Sequence, residues 1–275
     1  MIELHSPAGE SLLVQALRNK PLLALDFDGT LSPLVPVPDA AAMDPRVLPL
    51  LRPLISCMPV AVVSGRGIAD LAGRVPLEGL TLVGNHGNEW GASGPGGDTA
   101  TPPGPAADRN ARQREICRDW ADALQSPLAA LGPGLAFETK TVSLSIHYRL
   151  VPDQARTRAQ LLELIATLTP APEIIEGKFV FNLMAPGLVT KYEAVEELVA
   201  RHRAGTAIFV GDDVTDERVF ERAPAGWLTV RVWDDEASAA GGPGQGVKSA
   251  ARSFVNRVDG VVQLLERLGR LARNL

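Results

Sequence analysis

The feature that most constrains the fold is a short apolar run that ends abruptly at two carboxylates. Residues 22–25 are all apolar, and the sequence Asp-Phe-Asp-Gly-Thr follows directly at positions 26–30. Such a run predicts a buried parallel strand, and the glycine and proline that follow mark its end. Ligands of open α/β sheets bind beyond the carboxyl ends of the strands, so Asp26 and Asp28 are predicted to lie at a binding site. Alternation along a strand separates their side chains, so we expect the chain to turn at Phe27 or Asp28.

The acidic pair suits covalent phosphate chemistry. Two carboxylates this close repel unless a cation or a proton holds them, and a carboxylate can form an aspartyl-phosphate. We predict that Asp26 is the nucleophile, that Asp28 is the acid/base for the leaving oxygen and then for water, and that the hydroxyl of Thr30 holds the turn. Mg²⁺ commonly shares one or two carboxylates with a substrate phosphate. The alternative is an ordinary strand-to-turn junction, where Asp, Gly and Thr are common.

Short apolar strands alternate with helices along most of the chain, which predicts an α/β fold with a doubly wound parallel sheet. Further strands are expected at residues 60–63, 80–83, 207–210 and 229–233. Helices are expected at residues 10–19, from Asp44 with Pro45 in its first turn, from Ile68, at 190–203 and at 259–272.

This alternation is interrupted in the middle of the chain. Residues 91–105 are rich in Gly and Pro, and we expect a loop or linker there. Helices at 106–126 and 153–168 and strands at 141–148 and 178–184 follow, the first strand with alternating apolar and polar residues. We therefore predict a core of residues 1–105 and 186–275 and an inserted α/β domain of residues 106–185, whose sheet has one solvated polar face.

Charge and composition limit the partners. A net charge of −5 disfavours nucleic acid and anionic membranes, which recruit basic surfaces. No stretch reaches the ~18 apolar residues of a membrane span, and we detect no basic start with an apolar core that would indicate a signal peptide. Cys57 and Cys117 lack metal-site spacing and are predicted to be buried thiols. We expect a cytoplasmic protein that binds a small molecule.

Three more positions carry groups that a phosphate and a cation require. Ser64 follows a predicted strand, the pair Asp212 and Asp213 follows another, and Lys191 lies near the start of a helix. A hydroxyl at a helix N-terminus binds phosphate oxygens, carboxylates bind a divalent cation, and a lysine neutralises phosphoryl charge. Taken singly, the alternatives are a helix cap, a solvated acidic loop and a solvated lysine.

Together, the Asp-Phe-Asp-Gly-Thr segment, Ser64, Lys191 and the Gly-Asp-Asp segment at 211–213 resemble the four motifs of haloacid-dehalogenase (HAD) type phosphohydrolases. The resemblance implies a HAD-like Rossmannoid core with a cap inserted between the second and third motifs. It implies the roles given above for Asp26 and Asp28, and phosphate binding by Ser64 and Lys191. It also implies Mg²⁺ held by the Asp26 carboxylate, the Asp28 backbone carbonyl and Asp212, and we include Asp213 as a candidate ligand.

The match narrows to the trehalose-6-phosphate phosphatase family. Gly211–Glu217 is similar to its fourth motif, and three further segments resemble a His-Gly-x-Glu turn at 86–89, a cap signature at 138–149 and a second cap turn at 176–178. The resemblance implies a set of substrate-binding residues: Ser64, Gly65, Arg66, His86, Glu89, Glu138, Lys140, His147, Arg149, Glu176, Lys178 and Asn182. His147 and Arg149 are two residues apart, so we expect both on one side of a strand.

Four residues depart from the family pattern. Asn182 stands where the family usually has Glu, Gly134 where it often has Arg, Ala185 where a basic residue is usual, and Tyr192 where Gly usually follows the lysine. An amide can hydrogen-bond hydroxyls, but it lacks the charge-assisted acceptor of a carboxylate. The first two departures concern sugar recognition and leave the sugar open.

The sequence therefore predicts a Mg²⁺-dependent phosphatase that hydrolyses trehalose 6-phosphate to trehalose and phosphate through an aspartyl-phosphate. One alternative is the same chemistry on sucrose 6-phosphate or a glucosylglycerol phosphate. Others are a catalytically silent sugar-phosphate sensor and a mutase that needs a bisphosphate activator. We expect the inserted domain to close over the phosphate. A trehalose-6-phosphate synthase is the one protein that we consider as a functional partner.

Overall fold

The computed structural model describes residues 1–35, 37–92, 105–139, 142–177, 179–187, 189–234 and 248–274. The chain divides into a larger unit, Met1–Ala100 with Val189–Leu275, and a smaller unit, Thr101–Leu188. These bounds lie close to the predicted limits of core and insertion. That the smaller unit acts as a cap stays a prediction.

The larger unit is built on an eight-stranded sheet with the order β1-β12-β11-β10-β2-β3-β4-β5. Every pairing is parallel except the antiparallel pair of β4 and β5. The strands are β1 (Ile2–Glu3), β2 (Pro21–Leu25), β3 (Val60–Val63), β4 (Thr81–Gly84), β5 (Glu89–Ala92), β10 (Thr206–Gly211), β11 (Leu228–Trp233) and β12 (Ser253–Asn256). The helices are α1 (Pro7–Arg18), α2 (Val47–Cys57), α3 (Ile68–Arg74), α6 (Lys191–Arg201), α7 (Val214–Arg222) and α8 (Arg257–Ala272).

Helices cover both faces of this sheet, which confirms the predicted doubly wound α/β architecture. Leu23 and Leu25 of β2 pack into a core with α1, α2, α3 and α8. Leu22 and Ala24 of the same strand pack into a second core with α6 and α7. Because β2 is buried on both faces, its sequence is apolar throughout, which is the pattern that predicted it.

In the larger unit, three strands and one helix were not predicted, and one predicted helix starts later than expected. The unpredicted elements are α7 and the strands β1, β5 and β12, which lie at or near the sheet edges. Asp44 does not cap α2, because that helix begins at Val47, and Asp44 Oδ1 instead accepts the backbone N–H of Arg46. Cys57 is exposed, contrary to prediction, whereas Cys117 is buried. Within the described ranges, no helix is long and apolar enough to cross a membrane.

The smaller unit contains an antiparallel sheet with the order β6-β7-β9-β8. The strands are β6 (Ala136–Thr139), β7 (Ser143–His147), β8 (Glu173–Gly177) and β9 (Val180–Met184), and the helices are α4 (Pro105–Ala130) and α5 (Gln154–Ile165). Leu144, Ile146, Phe181 and Leu183 pack against residues of both helices. The opposite face, the polar face, carries Glu138, Ser143, Ser145, His147 and Asn182 together with apolar residues such as Val180 and Met184. That face is less solvated than predicted, since Ser143 and Ser145 are buried.

Candidate active site

Three predicted site residues gather at the carboxyl edge of neighbouring strands. β10, β2 and β3 lie side by side, and Asp212, Asp26 and Ser64 are the first residues after them. Lys191 begins α6, and its side chain reaches the same place, because Nζ lies 2.9 Å from Asp26 Oδ1. The convergence expected from parallel strands is therefore present in the structure.

Lys191 is the cation at the base of this cluster. Its side chain is only 2% exposed, and Nζ also lies 2.7 Å from Asp216 Oδ1. Burial opposes the charge, but the carboxylates of Asp216 and Asp26 outweigh it and raise the pKa of the Lys191 ammonium. A buried charge persists only when it is paired in this way, so Lys191 stays protonated at neutral pH.

Two of the acids at this edge, Asp26 and Asp212, resist ionisation. Burial, reinforced by Asp216 and opposed by Lys191, raises the pKa of Asp26 to about 7. Burial and the charges of Asp26 and Asp216 raise the pKa of Asp212 to about 9. When all three carboxylates are ionised, they carry more negative charge than one ammonium balances, and a divalent cation would offset the excess.

Asp26, Asp212 and Asp216 fit such a cation. Each offers a carboxylate oxygen, and these oxygens all lie within 4.8 Å of one another. Asp212 Oδ1 is buried and has no hydrogen-bond partner within the described part of the chain. Hard cations such as Mg²⁺ take oxygen ligands, so the donor set suits a divalent metal.

The third acid of this cluster is Asp216 and not Asp213. Asp213 is exposed at the N-cap of α7, and its carboxylate accepts the backbone N–H of Val214. Asp216 Oδ2 accepts the backbone N–H groups of Asp212 and Asp213, each at 2.9 Å. Asp213 shapes the start of the helix, while Asp216 turns inward from the same segment, so the structure favours Asp216 over the predicted Asp213 as the third acid of the cluster.

A glycine makes room for the Asp212 carboxylate. Gly29 has a φ of +74°, and a β-carbon on it would lie 2.0 Å from Asp212 Oδ2. Backbone bonds hold the turn: the N–H groups of Leu31 and Ser32 donate to the Phe27 carbonyl at 2.8 and 2.9 Å. The predicted role of Thr30 is not seen, because its hydroxyl is buried without a hydrogen-bond partner among the described residues.

Asp28 lies outside the acidic cluster. Its carboxylate is half-buried and is paired with the guanidinium of Arg66. Arg66 was predicted to bind substrate, yet in this structure it binds the carboxylates of Asp28 and Asp70. The turn after β2 therefore gives Asp26 and Asp28 different surroundings.

The turn after β3 brings Ser64, Gly65 and His86 together. Ser64 is buried, and its hydroxyl accepts the backbone N–H of Arg66 at 3.2 Å. A β-carbon on Gly65 would lie 2.6 Å from the His86 ring, so the ring lies against this glycine. Glu89 is placed as a helix cap, because its Oε2 accepts the N–H of Ile68 at the start of α3 at 2.8 Å.

Asn88 fixes the segment that leads into α6, and the sequence analysis missed it. Its Oδ1 accepts the N–H of Val189 at 3.1 Å, and its Nδ2 donates to the Val189 carbonyl at 2.8 Å. Asn88 is only 1% exposed. This pair sets the chain immediately before Lys191, although Asn88 and Val189 are far apart in sequence.

In the smaller unit, Glu138, Ser145 and Asn182 are cross-strand neighbours and therefore share the polar face of the sheet. The Ser145 hydroxyl donates to Asn182 Oδ1 at 2.8 Å, and Asn182 Nδ2 donates to the Ile175 carbonyl at 3.3 Å. His147 lies on the same face, with Nε2 3.7 Å from Glu138 Oε2. Three of the predicted substrate-binding residues are thus grouped here.

Other predicted substrate-binding residues of this unit are placed elsewhere. Glu176 pairs with Phe181, on the face that α5 covers, and its carboxylate binds Arg158. Arg149 lies in a turn beyond β7, so it does not share a strand face with His147 as expected. Lys140 and Lys178 lie outside the described residues.

A family model and several named relatives point to one family. A family model described as trehalose-phosphatase matches residues 24–227. A protein of Mycobacterium tuberculosis named trehalose-phosphate phosphatase is 32% identical over 269 residues, which cover 93% of this chain and 62% of that protein. The chain spans between 15% and 62% of the length of the first curated relatives that it matches.

Two solved structures show the same fold. One is a trehalose-6-phosphate phosphatase related protein, with a TM-score of 0.69 at 23% identity over 92% of this chain and 99% of that one. The other is a haloacid dehalogenase-like hydrolase from Bacteroides thetaiotaomicron, with a TM-score of 0.58 at 17% identity over 90% and 99% of the two chains. These matches confirm the predicted HAD-like architecture.

Proposed function

Because the chain belongs to the trehalose-phosphatase family, we propose that it is a Mg²⁺-dependent phosphatase that hydrolyses trehalose 6-phosphate to trehalose and phosphate. The observation that supports this best is the buried cluster of Asp26, Asp212 and Asp216 around Lys191. It combines a nucleophile, oxygen ligands and a fixed positive charge at one strand edge, which phosphoryl transfer requires.

Asp26 is the nucleophile in this proposal. Lys191 binds one of its oxygens at 2.9 Å, which orients the carboxylate, so that the other oxygen can attack phosphorus. The ammonium also balances negative charge that develops on the phosphoryl oxygens, in a site where little water weakens the interaction. The product of this step is an aspartyl-phosphate and the free sugar.

Asp26, Asp212 and Asp216 are the residues that would hold Mg²⁺. When bound, the ion neutralises part of the charge on the carboxylates and on the substrate phosphate. A nearby cation favours ionised carboxylates, which opposes the raised pKa values of Asp26 and Asp212. Asp212 Oδ1, which is buried and unpartnered in the described part of the structure, is the ligand atom that these contacts best support.

Asp28 completes the reaction as the acid/base. It donates a proton to the sugar oxygen as the first bond breaks, and it then removes a proton from the water that hydrolyses the aspartyl-phosphate. Asp28 is half-exposed, which suits a group that exchanges protons with solvent and substrate.

The Ser64 hydroxyl, beside the start of α3, is the proposed contact for a phosphate oxygen.

The sugar is a separate question from the phosphate chemistry. Glu138, His147 and Asn182 form the group that we propose to contact sugar hydroxyls. Asn182 replaces the carboxylate that is usual in the family, and its amide is already bonded to Ser145 and Ile175. This favours, as a second candidate, the same reaction on another sugar phosphate such as sucrose 6-phosphate or a glucosylglycerol phosphate.

A phosphate-release assay tests the proposal. The full chain is assayed with trehalose 6-phosphate, sucrose 6-phosphate, glucosylglycerol phosphate and glucose 6-phosphate, each with Mg²⁺ and with chelator, and Asp26→Asn is the inactive control. We expect Mg²⁺-dependent release with the highest kcat/KM for trehalose 6-phosphate. A higher kcat/KM for another sugar would support the second candidate, and no turnover would support a silent sensor. Cytoplasmic location and pairing with a synthase stay predictions.

A further inference from the structure

A planar fork of hydrogen bonds holds both carboxylate oxygens of Asp28. Arg66 Nε lies 2.7 Å from Asp28 Oδ2, and Nη2 lies 2.7 Å from Asp28 Oδ1. A carboxylate bonded at both oxygens to one rigid group cannot rotate about its Cβ–Cγ bond without breaking both bonds. Asp28 therefore has one fixed orientation while Arg66 is in place.

Arg66 is itself held at several points. Its Nη1 lies 2.7 Å from Asp70 Oδ2, and its guanidinium lies over the buried Phe27 ring, 5.6 Å from the centroid. Its backbone N–H donates to Ser64 Oγ at 3.2 Å, and its carbonyl accepts the N–H of Asn85 at 2.7 Å. With only 12% of its side chain exposed, Arg66 is built into the site and does not extend into solvent.

A second arginine continues this network to another loop. Arg74 Nε lies 2.7 Å from Asp70 Oδ1, and Arg74 Nη1 donates to the carbonyls of Asp39 and Ala41. Asp70, which the two arginines share, thus connects α3 to the segment at residues 39–41. The orientation of Asp28 is supported by elements well beyond its own turn.

We propose that Arg66 is a positioning residue for Asp28 and that it is not the ligand of the substrate phosphate. The inference rests on the proposed function, in which Asp28 transfers protons. Proton transfer requires the carboxylate within hydrogen-bond reach of the leaving oxygen and then of water, and the carboxylate lies on a turn beyond the end of β2. The fork supplies the orientation that the turn alone does not.

The two possible roles of Arg66 predict different kinetics. A phosphate ligand contributes to the affinity for inorganic phosphate whether or not Asp28 is present. A positioning residue contributes to kcat, and only through Asp28, so its effect vanishes when Asp28 has lost its function. Lysine cannot replace a fork of two parallel bonds, so Arg66→Lys is expected to resemble Arg66→Met under the positioning role.

The test is a double-mutant cycle in the full chain with Mg²⁺, using the sugar phosphate that the wild type hydrolyses best. We measure kcat, KM and competitive inhibition by inorganic phosphate for Arg66→Met, Arg66→Lys, Asp28→Asn and Asp28→Asn/Arg66→Met. We expect Arg66→Met to lower kcat about 100-fold, as for a misplaced catalytic group. KM and phosphate inhibition should change by less than about threefold, and Arg66→Met should add less than about twofold to Asp28→Asn.

Arg46→Met is the matched control, because Arg46 forms the same kind of two-bond fork with Asp44, to which the proposal gives no role; we expect kcat within about threefold of the wild type. Thermal unfolding checks each variant, and Arg66→Lys serves if Arg66→Met does not fold. A tenfold weaker phosphate inhibition with kcat intact, or an equal loss with and without Asp28, would overturn this inference alone. A wild type without turnover would overturn both this inference and the proposed function.

Discussion

Gly29 and Asp212 are packed so closely that a side chain at residue 29 would displace the Asp212 carboxylate. A β-carbon there would lie 2.0 Å from Asp212 Oδ2, and the backbone of Gly29 has a φ of +74°. The turn that carries Asp28 and the loop that carries Asp212 therefore depend on each other, although they are distant in sequence.

The first prediction concerns this contact. Gly29→Ala should lower Mg²⁺-dependent activity at least about 100-fold, because the methyl group displaces Asp212 and the left-handed backbone costs roughly 1–2 kcal/mol. Isothermal titration with Mg²⁺ should show weaker binding. Gly73→Ala is the matched control, since a β-carbon on Gly73 meets nothing within 4 Å. Wild-type metal affinity in Gly29→Ala would contradict the prediction.

The second prediction separates the two acids at the start of α7. Asp213→Asn should keep activity within about threefold of the wild type, because asparagine caps helices as well as aspartate does. Asp216→Asn should abolish metal-dependent activity and lower stability by about 3–5 kcal/mol, because it removes one partner of the buried Lys191. Denaturant unfolding and phosphate release measure both effects. Greater damage from Asp213→Asn would restore Asp213 as the metal ligand.

The third prediction is a pH dependence of the metal-free protein. The pKa values of about 7 for Asp26 and about 9 for Asp212 lie above the ordinary value of 3.8, so the folded state binds more protons than the unfolded state between these limits. The stability that these protonated acids provide is complete below the ordinary pKa and is lost as pH rises through the folded values. Without metal, the unfolding free energy should therefore fall from mildly acidic to alkaline pH.

Mg²⁺ should reverse this trend, because it binds the ionised carboxylates. The rise in melting temperature on adding Mg²⁺ should be larger at about pH 8.5 than at about pH 5.5, and differential scanning calorimetry measures it. Asp212→Asn should make the Mg²⁺-induced rise in melting temperature more nearly equal at the two pH values. An Mg²⁺ effect that is equal at both would count against Asp26 and Asp212 as the titrating ligands.

The fourth prediction concerns the sugar. Asn182→Glu should change the ratio of kcat/KM between trehalose 6-phosphate and the other sugar phosphates by about tenfold or more, because it places a charged acceptor beside Ser145 on the polar face. Hydrolysis of p-nitrophenyl phosphate, which has no sugar, should not change. Glu176→Gln is the control on the opposite face, bonded to Arg158, and should leave the ratio unchanged. If Glu176→Gln changes this ratio and Asn182→Glu does not, the face that carries Glu176 is the one that recognises the sugar.

The sequence predicted the central strands and the residues that follow them, because burial on both faces leaves an unbroken apolar signature. It predicted neither β6 nor β8, whose residues are mostly exposed and show no alternation. The face that Glu176 occupies could not be predicted for that reason, since only the register with Phe181 shows it. A side-chain direction in an edge strand depends on pairing that a single sequence does not display.

Asp216 was missed for a different reason. We predicted a carboxylate pair from Asp212 and Asp213 because they are adjacent in sequence. At the start of a helix, however, the side chains of adjacent residues point in different directions. Asp216 lies three positions after the N-cap, and its carboxylate points back to the end of β10, where it accepts the backbone N–H groups of Asp212 and Asp213. The capping-box spacing was the signal available in the sequence, and it concerns a helix start more than a metal site.

Asn88 anchors the chain just before Lys191. It binds both backbone groups of Val189, immediately before the helix that begins with Lys191. If the inserted segment recognises the sugar as proposed, we expect that replacing residues 101–188 changes which sugar is bound, while the bonds from Asn88 to Val189 keep the Lys191 ammonium in place.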